Sequence, residues 1–365
     1  MSQLHQILVG DCIEMMRTLP DKSVHTCVTS PPYYGLRDYG VEGQIGLEET
    51  PAEFIALLVA VFREVRRVLR DDGTAWVNMG DSYASIAGGY AEGGSAGKHD
   101  AVSIATRGAV RRGHRRTPPK GFKEKDLMGM PWRLAFALQD DGWYLRQDII
   151  WNKPNPMPES VRDRCTKSHE YIFLLSKSKK YYFNQAAILE PCSPNTHARL
   201  SQDLQAQIGS ERANGGMKTN GAMKAVTRKT NGVGWGHGTD GNQRQRGRIK
   251  DNDSMNSALA IMPSERNKRS VWTVSTHSFK GAHFATFPPD LIRPCILAGA
   301  PRNGVVLDPF GGAGTTSLVS MQEGRRSILC ELNPDYATMA RTRIDAAWLD
   351  GAAQMDVFHD AEPAA

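Results

Sequence analysis

Two segments at opposite ends of the 365-residue chain hold the residue types best suited to chemistry: VTSPPYYG, from Val28 to Gly35, and VVLDPFGGAGTT, from Val305 to Thr316. In the first, a buried strand is expected to run into a rigid corner. Ser30 offers a hydroxyl oxygen and Pro31 a backbone carbonyl, and the fixed φ of Pro31 and Pro32 aims that carbonyl before any substrate arrives. Two such acceptors side by side suit an exocyclic amino group, whose lone pair is delocalised into its ring. Accepting both amino hydrogens favours the tetrahedral nitrogen, whose lone pair can attack an incoming carbon. Tyr33 then stands where an aromatic ring can stack on a base drawn out of a duplex. Standing alone, the tetrapeptide reads more readily as a strand-ending turn.

The second segment alters that balance. Val305, Val306 and Leu307 read as a strand, Gly311, Gly312 and Gly314 as a loop that lets a ligand approach the backbone, and Thr315 as a helix start. A second apolar strand, Ser327 to Cys330, ends in Glu331, roughly twenty residues beyond Asp308, where a carboxylate at a strand tip can hold ribose hydroxyls. The loop lacks the Lys-Ser/Thr pair of a triphosphate-binding loop, which points to a nucleoside ligand without phosphates.

Taken together, these motifs resemble the DNA amino-methyltransferases that modify adenine N6 or cytosine N4, in the permuted order with the SPPY-type motif ahead of the cofactor motif. The likeness spans residues 1–85, Gly129 to Gln185 and His283 to Trp348. It implies S-adenosyl-L-methionine as cofactor, no metal, double-stranded DNA as partner and a homodimeric assembly. Ser30, Pro31, Pro32 and Tyr33 are the implied catalytic residues. On the cofactor side it implies Asp11 near the adenine and Glu331 at the ribose. Asp308, Phe310, Gly312, Gly314 and Thr315 fall on the methionine-side loop, and Phe287, ahead of a helix from Asp290 to Ala298, closes over the methionine end. Ile149 to Pro158, IIWNKPNPMP, resembles the loop beside the target base, with Lys153 as a DNA contact. The Ser-Pro-Pro-Tyr form most resembles the cytosine branch, whereas Asp in place of Ser30 would mark the commoner adenine pattern; both bases stay open.

Charge is informative by location. The chain carries a net +6, yet Lys98 to Lys125 and Arg199 to Lys250 each carry +7, leaving −8 for the rest. Both stretches are rich in Gly, Asn, Ser and Gln, and such basic insertions suit a phosphate backbone. Arg111, Arg112, Arg115 and Arg116, in the insert at 84–125, are read as phosphate contacts. Arg228, Lys229, Arg244, Arg246 and Arg248, in a target-recognition insert at 191–269, are read as the sequence-reading set. The catalytic domain is then 1–190 with 270–350, followed by a tail at 351–365. The N-terminus has no basic-then-apolar signal pattern and no apolar run is long enough to span a membrane, so a cytoplasmic, nucleoid-associated protein is expected. Six scattered cysteines read as reduced thiols, and His169 and His283 lack partners at metal-ligand spacing.

The elements that must position these residues alternate. Glu53 to Leu69 is an amphipathic helix leading to a strand at Thr74 to Met79; Trp132 to Leu138 reads as helix, and Tyr144 to Trp151 and His169 to Leu175 as strands. Alternation of this kind predicts a doubly wound, mostly parallel α/β sheet of Rossmann-like type, with ligands at the carboxyl ends of the strands. Of the tryptophans, Trp151 alone is a candidate for stacking on a base. Three rivals remain. A cytosine-C5 enzyme would need a Pro-Cys-Gln nucleophile, but Pro191-Cys192 and Pro294-Cys295 are followed by Ser193 and Ile296. A protein-glutamine methyltransferase could use the same corner on an amide nitrogen, and a non-catalytic DNA-binding regulator would retain the basic loops.

Overall fold

A computed structural model describes residues 4–36, 38–84, 118–192, 265–276 and 287–359. Eight strands among them form one sheet, in the order β1 (His5–Val9), β10 (Arg326–Glu331), β9 (Val305–Asp308), β2 (Val24–Thr29), β3 (Leu69–Met79), β5 (His169–Ser176), β4 (Tyr144–Asn152) and β8 (Val271–Thr273). Every pairing is parallel except those of β5, which runs against both β3 and β4. This is the expected doubly wound α/β architecture, with one strand reversed.

Central strands β2 and β9 and the second half of β3 are largely buried on both sides, as a parallel sheet covered by helices requires. Their alternation divides the core in two. Cys27, Ala75, Val77 and Leu307 face one cluster, while Val28, Trp76 and Val306 face the other. Helices α1 (Cys12–Arg17), α2 (Pro51–Val68) and α3 (Met130–Asp140) cover the first face. On the second face, α4 (Pro289–Gly299) and α5 (Thr315–Gln322) pack against the strands, and α6 (Pro334–His359) lies against α5, β1 and β10. The start of α2 is fixed by a capping box: Thr50 Oγ1 accepts from Glu53 N at 3.2 Å, and Glu53 Oε2 accepts from Thr50 N at 3.0 Å. Its apolar stripe of Phe54, Leu58, Val61, Phe62, Val65 and Val68 is fully buried, at roughly 1.5–3 kcal/mol for each large side chain.

Chain topology decides where a ligand can sit. From β9 the chain proceeds outward through β10 to one side, and from β2 through β3 to the other, so β2 and β9 flank the point where the winding reverses. They pair in register at Thr26 with Val306 and Cys27 with Leu307. The crevice beyond their carboxyl ends is the ligand position in open α/β sheets. Because β5 is reversed, its first residues arrive at that same edge.

The chain falls into two compact units, Met1–Ile188 with Lys268–Ala365, and Leu189–Asn267. The described part of the second holds a two-stranded antiparallel ladder, β6 (Glu190–Pro191) with β7 (Glu265–Arg266), closed by an Arg266–Glu190 ion pair at 3.0 Å. The described helices include none long and apolar enough to cross a membrane.

Candidate active site

A cavity opens at the switch point, lined from one side by Ser30, Pro31, Pro32 and Tyr33 after β2 and from the other by Asp308 to Ala313 after β9. The two motifs, far apart in the chain, are tied directly: Thr29 Oγ1 donates to Asp308 Oδ1 at 2.7 Å. The same oxygen accepts from Phe310 N at 3.0 Å, and Asp308 Oδ2 accepts from Thr316 Oγ1 at 2.6 Å. Asp308 therefore joins β2, the loop and α5 through one buried carboxylate. Burial pushes that carboxyl up to about 7, although its three donors pull the other way.

Gly312 and Gly314 adopt φ of +50° and +76°, the left-handed region that lets the loop fold back on itself. The turn brings Gly312 N to Glu331 Oε2 at 2.7 Å, while Glu331 Oε1 accepts from Asn333 N at 2.9 Å. Glu331 thus sits at the tip of β10 with its carboxyl pushed upward by burial. Asp11, after β1, caps α1 by accepting from Ile13 N at 2.9 Å and Glu14 N at 3.0 Å, and lines the same cavity. Phe287, just ahead of α4, and Phe310 add aromatic surface to the lining.

Two expected cofactor residues also have partners within the protein. Gly314 caps α5 and does not line the cavity; a Cβ there would lie 2.9 Å from Ala340 Cβ on α6, so its role is close packing. Thr315 lines the cavity, but its hydroxyl accepts from Arg343 Nη1 at 2.8 Å. The sequence reading missed one wall altogether, formed by the loop after Tyr34 with Leu36, Tyr39, Val41 and Ile45, and by Leu332 and Tyr336. Tyr39 and Tyr336 meet edge to face, 6.3 Å between centroids. Gly35, Gly40, Gly43 and Gly46 adopt positive φ there, the left-handed region a tightly folded loop needs.

On the base side, Lys153, expected as a DNA contact, has protein partners. Its ammonium pairs with Glu170 and lies 4.1 Å from the Trp151 ring centroid, with the side chain 18% exposed. Trp151 is a core residue, 4% exposed, whose indole N–H donates to Val274 O at 2.8 Å. The basic candidates Arg111, Arg112, Arg115, Arg116, Arg228, Lys229, Arg244, Arg246 and Arg248 lie outside the described residues.

The donor set suits the implied cofactor. Among the described lining residues there are three carboxylates, several aromatic and aliphatic side chains, and no Lys or Arg. A nucleoside carrying a sulfonium, cationic and free of phosphate, matches that balance better than a nucleotide does. Among the described residues no group of three His, Cys, Asp or Glu could hold a metal ion.

Comparison with known proteins agrees with this geometry. The chain is 43% identical over 335 residues to the Type II methyltransferase M.XycI of Xanthomonas campestris pv. cyanopsidis, covering 92% of this chain and 86% of that one. It is 41% identical to the Type II methyltransferase M.SmaI of Serratia marcescens, covering 93% and 90%. Among solved structures, PvuII DNA methyltransferase, described as cytosine-N4-specific, superposes with a TM-score of 0.53 at 16% identity, over 92% of this chain and 85% of that one. The N6/N4 methyltransferase family, described as DNA methylase, matches residues 24–342, and this chain belongs to it.

Proposed function

We propose that the protein transfers a methyl group from S-adenosylmethionine to the exocyclic amino nitrogen of a base turned out of double-stranded DNA, with cytosine N4 favoured because the residue ahead of Pro31 is a serine. The observation that carries this reading is the meeting of the Ser30–Tyr33 corner and the Asp308–Glu331 loops in one cavity. Bound S-adenosylmethionine supplies an activated methyl on a sulfonium, already a good leaving group. The protein's own residues then have three tasks. Ser30 Oγ and the Pro31 carbonyl accept the amino hydrogens and relocalise the lone pair. Tyr33 and the prolines hold the base against the cofactor side, and the apolar walls exclude water. Glu331 and Asp11 hold the nucleoside, with Asp308 fixing the loop between them.

Nucleoside mass spectrometry of DNA incubated with the protein and isotopically labelled cofactor tests the reading. Labelled N4-methylcytosine is expected. N6-methyladenine would transfer the proposal to the other base, and labelled glutamine in added protein with unlabelled DNA would overturn it.

The two basic stretches, one supplying phosphate contacts and one reading sequence, are proposed to hold the duplex, with the protein acting as a homodimer within a restriction-modification pair. Light scattering of the protein with duplex across a salt series addresses both points. Twice the chain mass is expected, with a complex that weakens steeply as salt rises. A monomer, or binding indifferent to salt, would remove the corresponding part.

A further inference from the structure

Tyr33 does not stand alone at the corner. Its hydroxyl donates to Glu170 Oε2 at 2.8 Å, and Asn78 Nδ2 donates to the same oxygen at 3.3 Å. The other oxygen of Glu170 takes the Lys153 ammonium. Four strand ends contribute: Tyr33 follows β2, Asn78 is near the end of β3, Lys153 follows β4, and Glu170 lies near the start of the reversed β5. The pair is well shielded, with side chains 16% and 18% exposed, and Asn78 is 4% exposed between Val77 and Met79 at the buried end of its strand, where Nδ2 also reaches Tyr171 O at 3.1 Å. Removing two charges from water is costly and seldom favours folding by itself. A shielded ion pair aimed at an active-site phenol therefore calls for a role.

We propose that Glu170 is the positioning residue that fixes the Tyr33 ring for the extruded base, acting through the phenol hydroxyl and itself held by Lys153 and Asn78. This rests on the DNA amino-methylation reading above. A ring attached only through Cβ can swing about two torsions; a hydrogen bond at its far end removes that freedom. Gly80 takes up the remaining slack, since a Cβ there would lie 2.8 Å from Tyr33 Cε2 and 3.2 Å from Glu170 Cδ. Backbone on one side and carboxylate at the tip leave the ring one orientation, with part of its surface lining the cavity. Burial and the neighbouring Glu170 charge push the phenol well above its usual range, so the hydroxyl remains a donor.

The test combines Tyr33→Phe, Glu170→Ala, Glu170→Gln and the Tyr33→Phe/Glu170→Ala double variant, in single-turnover methylation of an oligonucleotide carrying the modified site. Tyr33→Phe is expected to slow the step about tenfold, the loss of one hydrogen bond to a charged acceptor. Glu170→Ala should slow it at least as much, and the double variant no more than Glu170→Ala, because both remove the same bond. Glu170→Gln should recover most of the rate, since an amide oxygen can accept the phenol. S-adenosylmethionine and DNA affinities should change less than about threefold throughout. A wild-type rate in Tyr33→Phe, multiplicative effects in the double variant, or cofactor affinity falling in step with rate would each overturn the role. Should Glu170→Ala fail to fold, Tyr33→Phe and Glu170→Gln decide alone. A wild-type protein that methylates no DNA overturns the activity reading and this role with it; an active one with insensitive variants overturns this role only.

Discussion

Ser30→Ala is expected to lower methyl transfer by about 10²- to 10³-fold, the cost of losing one preorganised group at a reacting centre, while S-adenosylmethionine binds almost as before. The exocyclic amino group is a poor nucleophile until its hydrogens are held, and Ser30 Oγ is one of the two acceptors proposed to hold them. The other, the Pro31 carbonyl, belongs to the backbone and survives the substitution, so a residual rate is expected. Ser30 lines the cavity from the corner after β2, on a different element from Glu331 and the Gly312 turn, which is why cofactor affinity should not follow the rate. Calorimetry for the cofactor and single-turnover kinetics for the transfer separate the two. Ser30→Asp supplies a stronger acceptor at the same place and should retain more activity than Ser30→Ala if acceptance is the serine's contribution. Near-normal turnover in Ser30→Ala would end the assignment.

Much of this site was legible before the fold was known, because its chemistry is concentrated in short strand-to-turn segments. Asp308, Gly312 and Glu331 lie at strand tips, and an apolar run ending in a glycine turn or an acid is visible in one dimension. The ligand position at the carboxyl ends of the strands was expected, and the pairing of Thr26 with Val306 sets the ends of β2 and β9 side by side. Less legible were roles set by side-chain partners far away in sequence. Lys153 was expected as a DNA contact from the resemblance of its segment to the loop beside the target base, and the reversal of β5 brings Glu170 beside it as an ion-pair partner. Asn78 and Glu170 sit within strand patterns that read as core, and only the neighbouring strand ends give them a purpose. Thr315 follows the same rule: Arg343 on α6, joined to the site only through tertiary packing, takes its hydroxyl.

Asp308, expected among the cofactor residues, lines the cavity and is proposed to act on the cofactor indirectly. Both its oxygens are taken, by Thr29, Thr316 and the Phe310 amide, so its loss should act through the loop. Asp308→Ala leaves those three donors without their acceptor and releases the turn that seats Gly312 against Glu331. Cofactor affinity is expected to fall about ten- to a hundredfold, comparable with Glu331→Ala, which removes a proposed direct ligand. The two mechanisms separate in Asp308→Asn, whose amide oxygen can still accept from Thr29 and Phe310 and so should retain most of the affinity. They separate again in pH dependence. The folded carboxyl, at about 7, lies above its ordinary 3.8, so the native state holds the extra proton. The stabilisation from that group is complete below about pH 4 and is lost as pH rises through 7. At roughly 1.4 kcal/mol per unit, the loss amounts to at most about 4 kcal/mol. Asp308→Asn has no such proton to lose. Urea unfolding of the cofactor-free proteins should therefore show Asp308→Asn gaining on wild type between pH 5 and pH 8. Parallel stability curves over that interval would show that Asp308 does not titrate there and that its carboxylate is held by its three donors at no pH-dependent cost.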